Sequence, residues 1–208
     1  MTSQVALMSG IWRPLMGLIL ASVVIMGSPG PSTVSATAMG AAFGVRLSLK
    51  YVCGLITGTI CVLLAVSAGV VALMLSIPLG ARVLGGISAI YIAYMAFKIA
   101  TAPPLESRGG HASVPAFVGG FLLAIANPKA YLAIAAVFAG TTIVVDHPGL
   151  DAVVKITLLG VMIVIIHICW LLAGASLSRV LHDPVSSRLV NVSLAAILVT
   201  TTWVTFIC

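Results

Sequence analysis

The chain has 208 residues, of which 61% are apolar and only 7% charged, so most of its surface must face something other than water. That excludes a soluble domain and indicates an integral membrane protein. Ten Lys+Arg against four Asp+Glu give a formal charge of +6, but the basic residues stand singly at the ends of apolar runs, which fits membrane orientation and not nucleic-acid binding.

About 20 apolar residues cross a bilayer, and on that measure six spans are expected. The first runs from about Ile11 to Met26, breaks at Pro29–Pro31 and resumes as a half-helix through Val34–Phe43. Prolines lack the N–H that a helix interior needs, and each glycine of Gly27-Ser28-Pro29-Gly30-Pro31 costs about 1 kcal/mol relative to alanine. In hydrocarbon a freed backbone group finds no water, so such a break survives only where it is buried in protein or lines a wet cavity. Arg13, the run Leu15–Met26 and a later Ala36-Thr37-Ala38 loosely imitate a signal peptide. The gap from Met26 to Ala38 is long for a cleavage region, and the segment is read as structure.

The second span covers about Tyr51–Leu75 and the third Val83–Ala100, followed by the longest polar interval, Thr101 to Ser113. The fourth covers about Val114–Val145 with a break at Asn127-Pro128-Lys129, the fifth Val153–Ala175 and the sixth Leu189–Ile207. Pro128 comes 99 residues after Pro29. Interrupted apolar segments at matching places in two halves are the sequence signature of an inverted-repeat transporter. The expected fold is therefore all-α, a single transmembrane domain over 1–208. Its six helices form two inverted three-helix repeats, about 11–100 and 114–207, with helices 1 and 4 broken.

Basic residues set the orientation. Arg46, Lys50, Lys98, Arg108, Arg179 and Arg188 fall on one side, and Arg13, Arg82 and Lys155 on the other with Asp146 and Asp151. The positive-inside rule makes the first side cytoplasmic and puts both termini outside. Gly40-x-x-x-Gly44, Gly54-x-x-x-Gly58 and Ala89-x-x-x-Ala93 let helices approach closely, either in a packed monomer core or at a homodimer seam. Trp12, Tyr51, Tyr91, Tyr94, Trp170 and Trp203 lie mostly near span ends, as an interfacial belt would.

At each break a half-helix begins inside the membrane, and its first N–H groups favour an anion. Asn127 is a suitable N-cap before Pro128, and Ser28-Pro29 or Gly30-Pro31-Ser32 can serve likewise in the first half. The natural occupant is a substrate carboxylate, and the alternative is a pair of packing kinks. Lys129, disfavoured at a helix N-terminus, is read as lining the cavity, the alternative being a side chain that snorkels to the interface. His167 lies near the middle of the fifth span and is a candidate proton relay or a hydrogen-bonded structural histidine. No cofactor or metal is expected. Cys53, Cys61, Cys169 and Cys208 have no C-x-x-C spacing and read as small apolar residues. A thiol or metal exporter would need paired cysteines or His/Asp clusters. An intramembrane serine protease built on Gly174-Ala175-Ser176 with His167 as base is a remote rival, since nine residues of helix separate the pair by about 13 Å.

At these residues the sequence resembles the lysine exporter (LysE/RhtB) family of amino-acid efflux proteins. The matching features are Pro29-Gly30-Pro31, the glycines 40, 44, 54 and 58, and the Ile90-to-Lys98 close of the third span. Phe121 to Ala130 with Asn127-Pro128-Lys129, and the Trp170–Arg179 end of the fifth span, complete them. The resemblance implies a six-span exporter of amino acids or related small molecules in a bacterial inner membrane, driven by an ion gradient. Family members often carry aspartates where this chain has Thr59 and His167. Glu106, Asp146, Asp151 and Asp183 all fall in expected loops, so nothing in the spans would neutralise a basic side chain. Pro29, Gly30, Pro31, Ser32, Thr33, Thr59, Asn127, Pro128 and Lys129 are the expected substrate contacts. The substrate expected is a neutral or weakly polar amino acid, its ammonium held by backbone carbonyls and by hydroxyls such as Ser32, Thr33 and Thr59.

Overall fold

The computed structural model describes residues 2–69 and 116–177, with individual helical positions between 86 and 101 and between 188 and 200. The expected loop 101–113 and most of the third and sixth spans lie outside the described residues. Among the described residues every regular element is helical: α1 (Thr2–Ala21) with a π turn (Ser22–Met26), α2 (Pro31–Ser67), α3 (Phe117–Ile125), α4 (Pro128–Ala139) and α5 (Pro148–Leu177).

The first span ends where expected. Ser22 Oγ donates to Leu18 O, and Gly27 N donates to Ser22 O, five residues back, closing the π turn. Such wide turns gather at functional sites. The chain then runs without helix through 27–30 and re-enters one at Pro31, whose missing N–H costs nothing at a first helical position.

At 37 residues α2 is about 55 Å long, nearly twice the hydrocarbon core, and so cannot be one straight span. It is divided at Gly44, which takes φ 69° and ψ 175°, a conformation essentially reserved for glycine. Gly44 is thus a hinge between a half-helix, 31–43, and a second segment, 45–67, and the Gly40–Gly44 pair is not a packing motif. Ser48 Oγ donates to Met39 O across the break at 2.7 Å, taking up a carbonyl near the end of the first half.

Glycine decides where the helices touch. A Cβ on Gly54 would stand 2.0 Å from Phe117 O, one on Gly58 2.7 Å from Phe121 O, and one on Gly120 2.1 Å from Tyr51 O, so 45–67 of α2 lies against α3 backbone to backbone. Gly40 against Leu171 O and Gly174 against Thr37 O make the same contact between 31–43 and α5. At Gly54-x-x-x-Gly58 the small-residue spacing therefore serves packing within the chain. Leu55, Leu123, Leu171 and Met39 fill the core between these helices, and Leu18, Val62, Ile134 and Ile163 fill a second cluster.

Among the described residues two elements, Pro31–Ser67 and Pro148–Ser176, are long and apolar enough to cross a membrane. The pair α3 and α4, bent by 61° at Asn127, makes a third if it counts as one span.

Four residues depart from the sequence reading. Tyr51 is fully buried and shares a hydrogen bond with Ser35 Oγ, so it is core and not interfacial. Trp170 donates from Nε1 to Gly27 O, anchoring the first break to α5, while Trp12 and Tyr94 are exposed as a belt requires. Asp151 is not a loop residue: it lies in the first turn of α5, buried, and forms a 2.8 Å ion pair with Lys155 one turn later. Its Oδ1 accepts from Ile143 N and Val144 N, and Lys155 Nζ donates to Phe138 O and Thr141 O. Lys155 is accordingly no marker of a membrane surface.

Candidate functional site

The two breaks meet. Asn127 Nδ2 donates to Ser32 Oγ at 2.9 Å, tying the start of α4 to the start of α2 across 95 residues of sequence. Lys129 reaches back further, its Nζ donating to Ser28 O at 2.5 Å, Ser28 Oγ at 2.7 Å and Pro29 O at 2.8 Å. All three ammonium hydrogens are thereby matched by oxygens of the first break. Lys129 turns its ammonium to the first break. It lines the cavity as expected, yet it also closes the loop 27–30 onto α4, a role that its position in sequence did not reveal.

Gly30 is glycine because of space and not because of conformation. Its φ of −172° suits any residue, but a Cβ there would stand 2.5 Å from Lys129 Cδ. Its N–H donates to Thr33 Oγ1 at 2.9 Å, so Thr33 secures the N-terminus of α2 from the third helical position. Asn127 occupies the N-cap position of α4, but its side chain makes no capping bond there and turns to Ser32 instead, contrary to the sequence expectation.

Between these groups lies a cavity with about 420 Å³ of empty space, part of it open at the mouth. Gly30, Ser32, Thr33, Thr59, Asn127, Lys129 and His167 line it, whereas Pro29, Pro31 and Pro128 shape the breaks without facing it. Thr59 and His167, the positions at which the chain departs from the family pattern, thus both fall on the cavity wall. Met26, Ala130, Ala133, Ile134, Ile163 and Ile166 complete the lining. These apolar residues were not identified from sequence, because in a chain this apolar nothing separates a cavity wall from a core or a lipid face.

His167 is buried, with Nδ1 2.7 Å from Ile163 O of its own helix. Thr59 is buried too, and its hydroxyl donates to Leu55 O. Two buried side-chain atoms among the described residues have no hydrogen-bond partner, Asn127 Oδ1 and His167 Nε2, and both residues line this cavity. Ser176, by contrast, is exposed at the end of α5 and bonded to Ala173 O. Cys53, Cys61 and Cys169 are exposed on the outer surface.

Comparison with known proteins follows the same line. Residues 23–205 match the family model described as LysE type translocator. The chain is 30% identical over 173 residues to cysteine/O-acetylserine efflux proteins of Escherichia coli (strain K12), Shigella flexneri (serotype 5b, strain 8401) and Shigella sonnei (strain Ss046). The match covers 83% of this chain and 87% of each relative. No solved structure matches the chain.

Proposed function

This chain belongs to the LysE type translocator family, and from that premise we propose that it is a secondary active exporter of neutral or weakly polar amino acids. The observation that carries the reading is the junction of the two breaks, Asn127 on Ser32 and Lys129 on Ser28 and Pro29, beside a partly open cavity. Irregular backbone at membrane depth needs a protein-lined or wet surround, and paired broken helices at a repeat interface are where such transporters bind. The relatives' substrates by name, cysteine and O-acetylserine, are amino acids without a basic side chain.

In this reading the substrate lies between the starts of α2 and α4. Gly30, Ser32, Thr33, Thr59, Asn127 and Lys129 supply its polar surroundings, and Pro29, Pro31 and Pro128 fix the breaks. The partial positive charge of two helix starts, reinforced by Lys129, favours the carboxylate. The apolar wall of Ala130, Ala133, Ile134, Ile163 and Ile166 receives an uncharged side chain. A basic side chain would lie there uncompensated, since among the described residues no acid lines the cavity, and an unpaired buried ion is very costly. Two inverted three-helix repeats, 11–100 and 114–207, rocking about the fixed site would give alternating access in a bacterial inner membrane, with both termini outside.

Counterflow in proteoliposomes tests the reading. Labelled homoserine, threonine or leucine is expected to exchange faster than labelled lysine or arginine. Faster exchange of the basic amino acids would overturn it.

A further inference from the structure

We propose that the cavity contains a dedicated subsite for a protonated primary amine, formed by Nε2 of His167 on α5 and Oδ1 of Asn127 at the start of α4. The inference rests on the amino-acid reading above and adds which atoms hold the amino group.

Both side chains are 4% exposed, both line the cavity, and each has one buried polar atom with no partner. Buried polar atoms are almost always satisfied, so two orphans on one cavity wall are atoms that a ligand completes. Three other polar groups of the wall are already engaged. Lys129 donates to three oxygens of the first break, Thr59 to Leu55 O, and Thr33 accepts from Gly30 N.

The chemistry of the orphans identifies the ligand group. Ile163 O can only accept, so the hydrogen between it and His167 Nδ1 belongs to the imidazole. In the neutral ring Nε2 is then a bare lone pair, and among the described residues no acid lines the cavity to pair with an imidazolium. Asn127 gives an amide hydrogen to Ser32, which leaves Oδ1 as a second acceptor. The two orphaned atoms are both acceptors, which repel a carboxylate and suit an ammonium, with its three hydrogens to give. His167 is therefore assigned as a substrate contact, and the amino group is held by a ring nitrogen and an amide oxygen and not by the hydroxyls of Ser32, Thr33 and Thr59.

The test uses the purified full chain and two probes that differ in one group, L-homoserine and its des-amino counterpart 4-hydroxybutyrate. Binding is read as thermal stabilisation in detergent, and flux as exchange in proteoliposomes. Homoserine is expected to bind at least about tenfold more tightly than 4-hydroxybutyrate, the discrimination due to a charge-assisted hydrogen bond. His167→Ala should abolish that preference by weakening homoserine alone, and Asn127→Leu should do the same from the other helix. His167→Gln, whose amide oxygen can replace Nε2, should restore part of it. A merely structural role would weaken both probes equally, and that result, or variants that keep the wild-type preference, would overturn the subsite. Amine-selective binding without exchange of any neutral amino acid would leave the subsite standing and overturn the export reading. Exchange with unchanged preference in the variants would do the reverse.

Discussion

Lys129 stands where two costs coincide. At the mid-membrane depth proposed for the breaks a lysine costs about 2.5–3.5 kcal/mol, and a cation at a helix N-terminus adds about 0.3–1 kcal/mol. Its three bonds to Ser28 and Pro29, each with a charged donor and worth about 1.5–3 kcal/mol, outweigh both. Lys129→Met should therefore lower the stability of the detergent-solubilised protein by about 1–3 kcal/mol, read from denaturant unfolding, and should abolish exchange. Gly30→Ala should act through the same contact, because the new methyl occupies the path of the lysine stem. The double variant should then cost less than the sum of the two singles, by at least about 0.5 kcal/mol. Additive effects would show that Lys129 does not hold the first break. From sequence alone the lysine was recognisable as a group needing partners. The partners themselves were not, since they lie about 100 residues away on backbone oxygens that any residue would supply.

The elements were legible to different degrees. Pro29, Pro31 and Pro128 mark both breaks because a proline ring removes an N–H wherever it sits, and the structure breaks at 27–30 and at Asn127. Gly44 carried no such mark. A glycine four residues after Gly40 reads as packing, although the half-helix was expected to end at Phe43, one residue before the hinge. Because nothing lies within 4 Å of a Cβ built at Gly44, Gly44→Ala should cost about 1–3 kcal/mol through backbone conformation alone. Gly120→Ala should instead separate α2 from α3, where a Cβ meets Tyr51 O at 2.1 Å. Denaturant unfolding of both distinguishes the causes: Gly54→Ala should couple to Gly120→Ala and add independently to Gly44→Ala. The Asp151–Lys155 pair was present in sequence as an i,i+4 spacing, yet Asp151 reads as a loop residue and Lys155 as an orientation marker at the end of the fifth span. Asp151→Leu should cost about 3–5 kcal/mol, since it strands a buried ammonium and the amides of Ile143 and Val144. Because the pair is buried, that loss should persist at high salt.

At the scale of the whole molecule, the proposed inverted repeats impose a requirement on two half-helices that begin at one site. One must lead to the cytoplasm and the other to the outside. Segment 31–43 leads through Gly44 to the exposed Arg46 and Lys50, and α4 leads to the connector with the exposed Asp146. With Lys155 buried against Asp151, the side proposed as outer loses one of its counted cations, and the charge asymmetry behind the proposed orientation becomes steeper. Leu47 is 56% exposed and Val145 81%, so a single cysteine at either place is open to reagent. In a background with Cys53, Cys61, Cys169 and Cys208 replaced by serine, Val145→Cys should react in intact cells with a maleimide that cannot cross the membrane. Leu47→Cys should react only after the membrane is permeabilised. Labelling of both from one side would mean that the two half-helices leave the site toward the same face, and one half rocking against an inverted other half could not then be how the cavity opens.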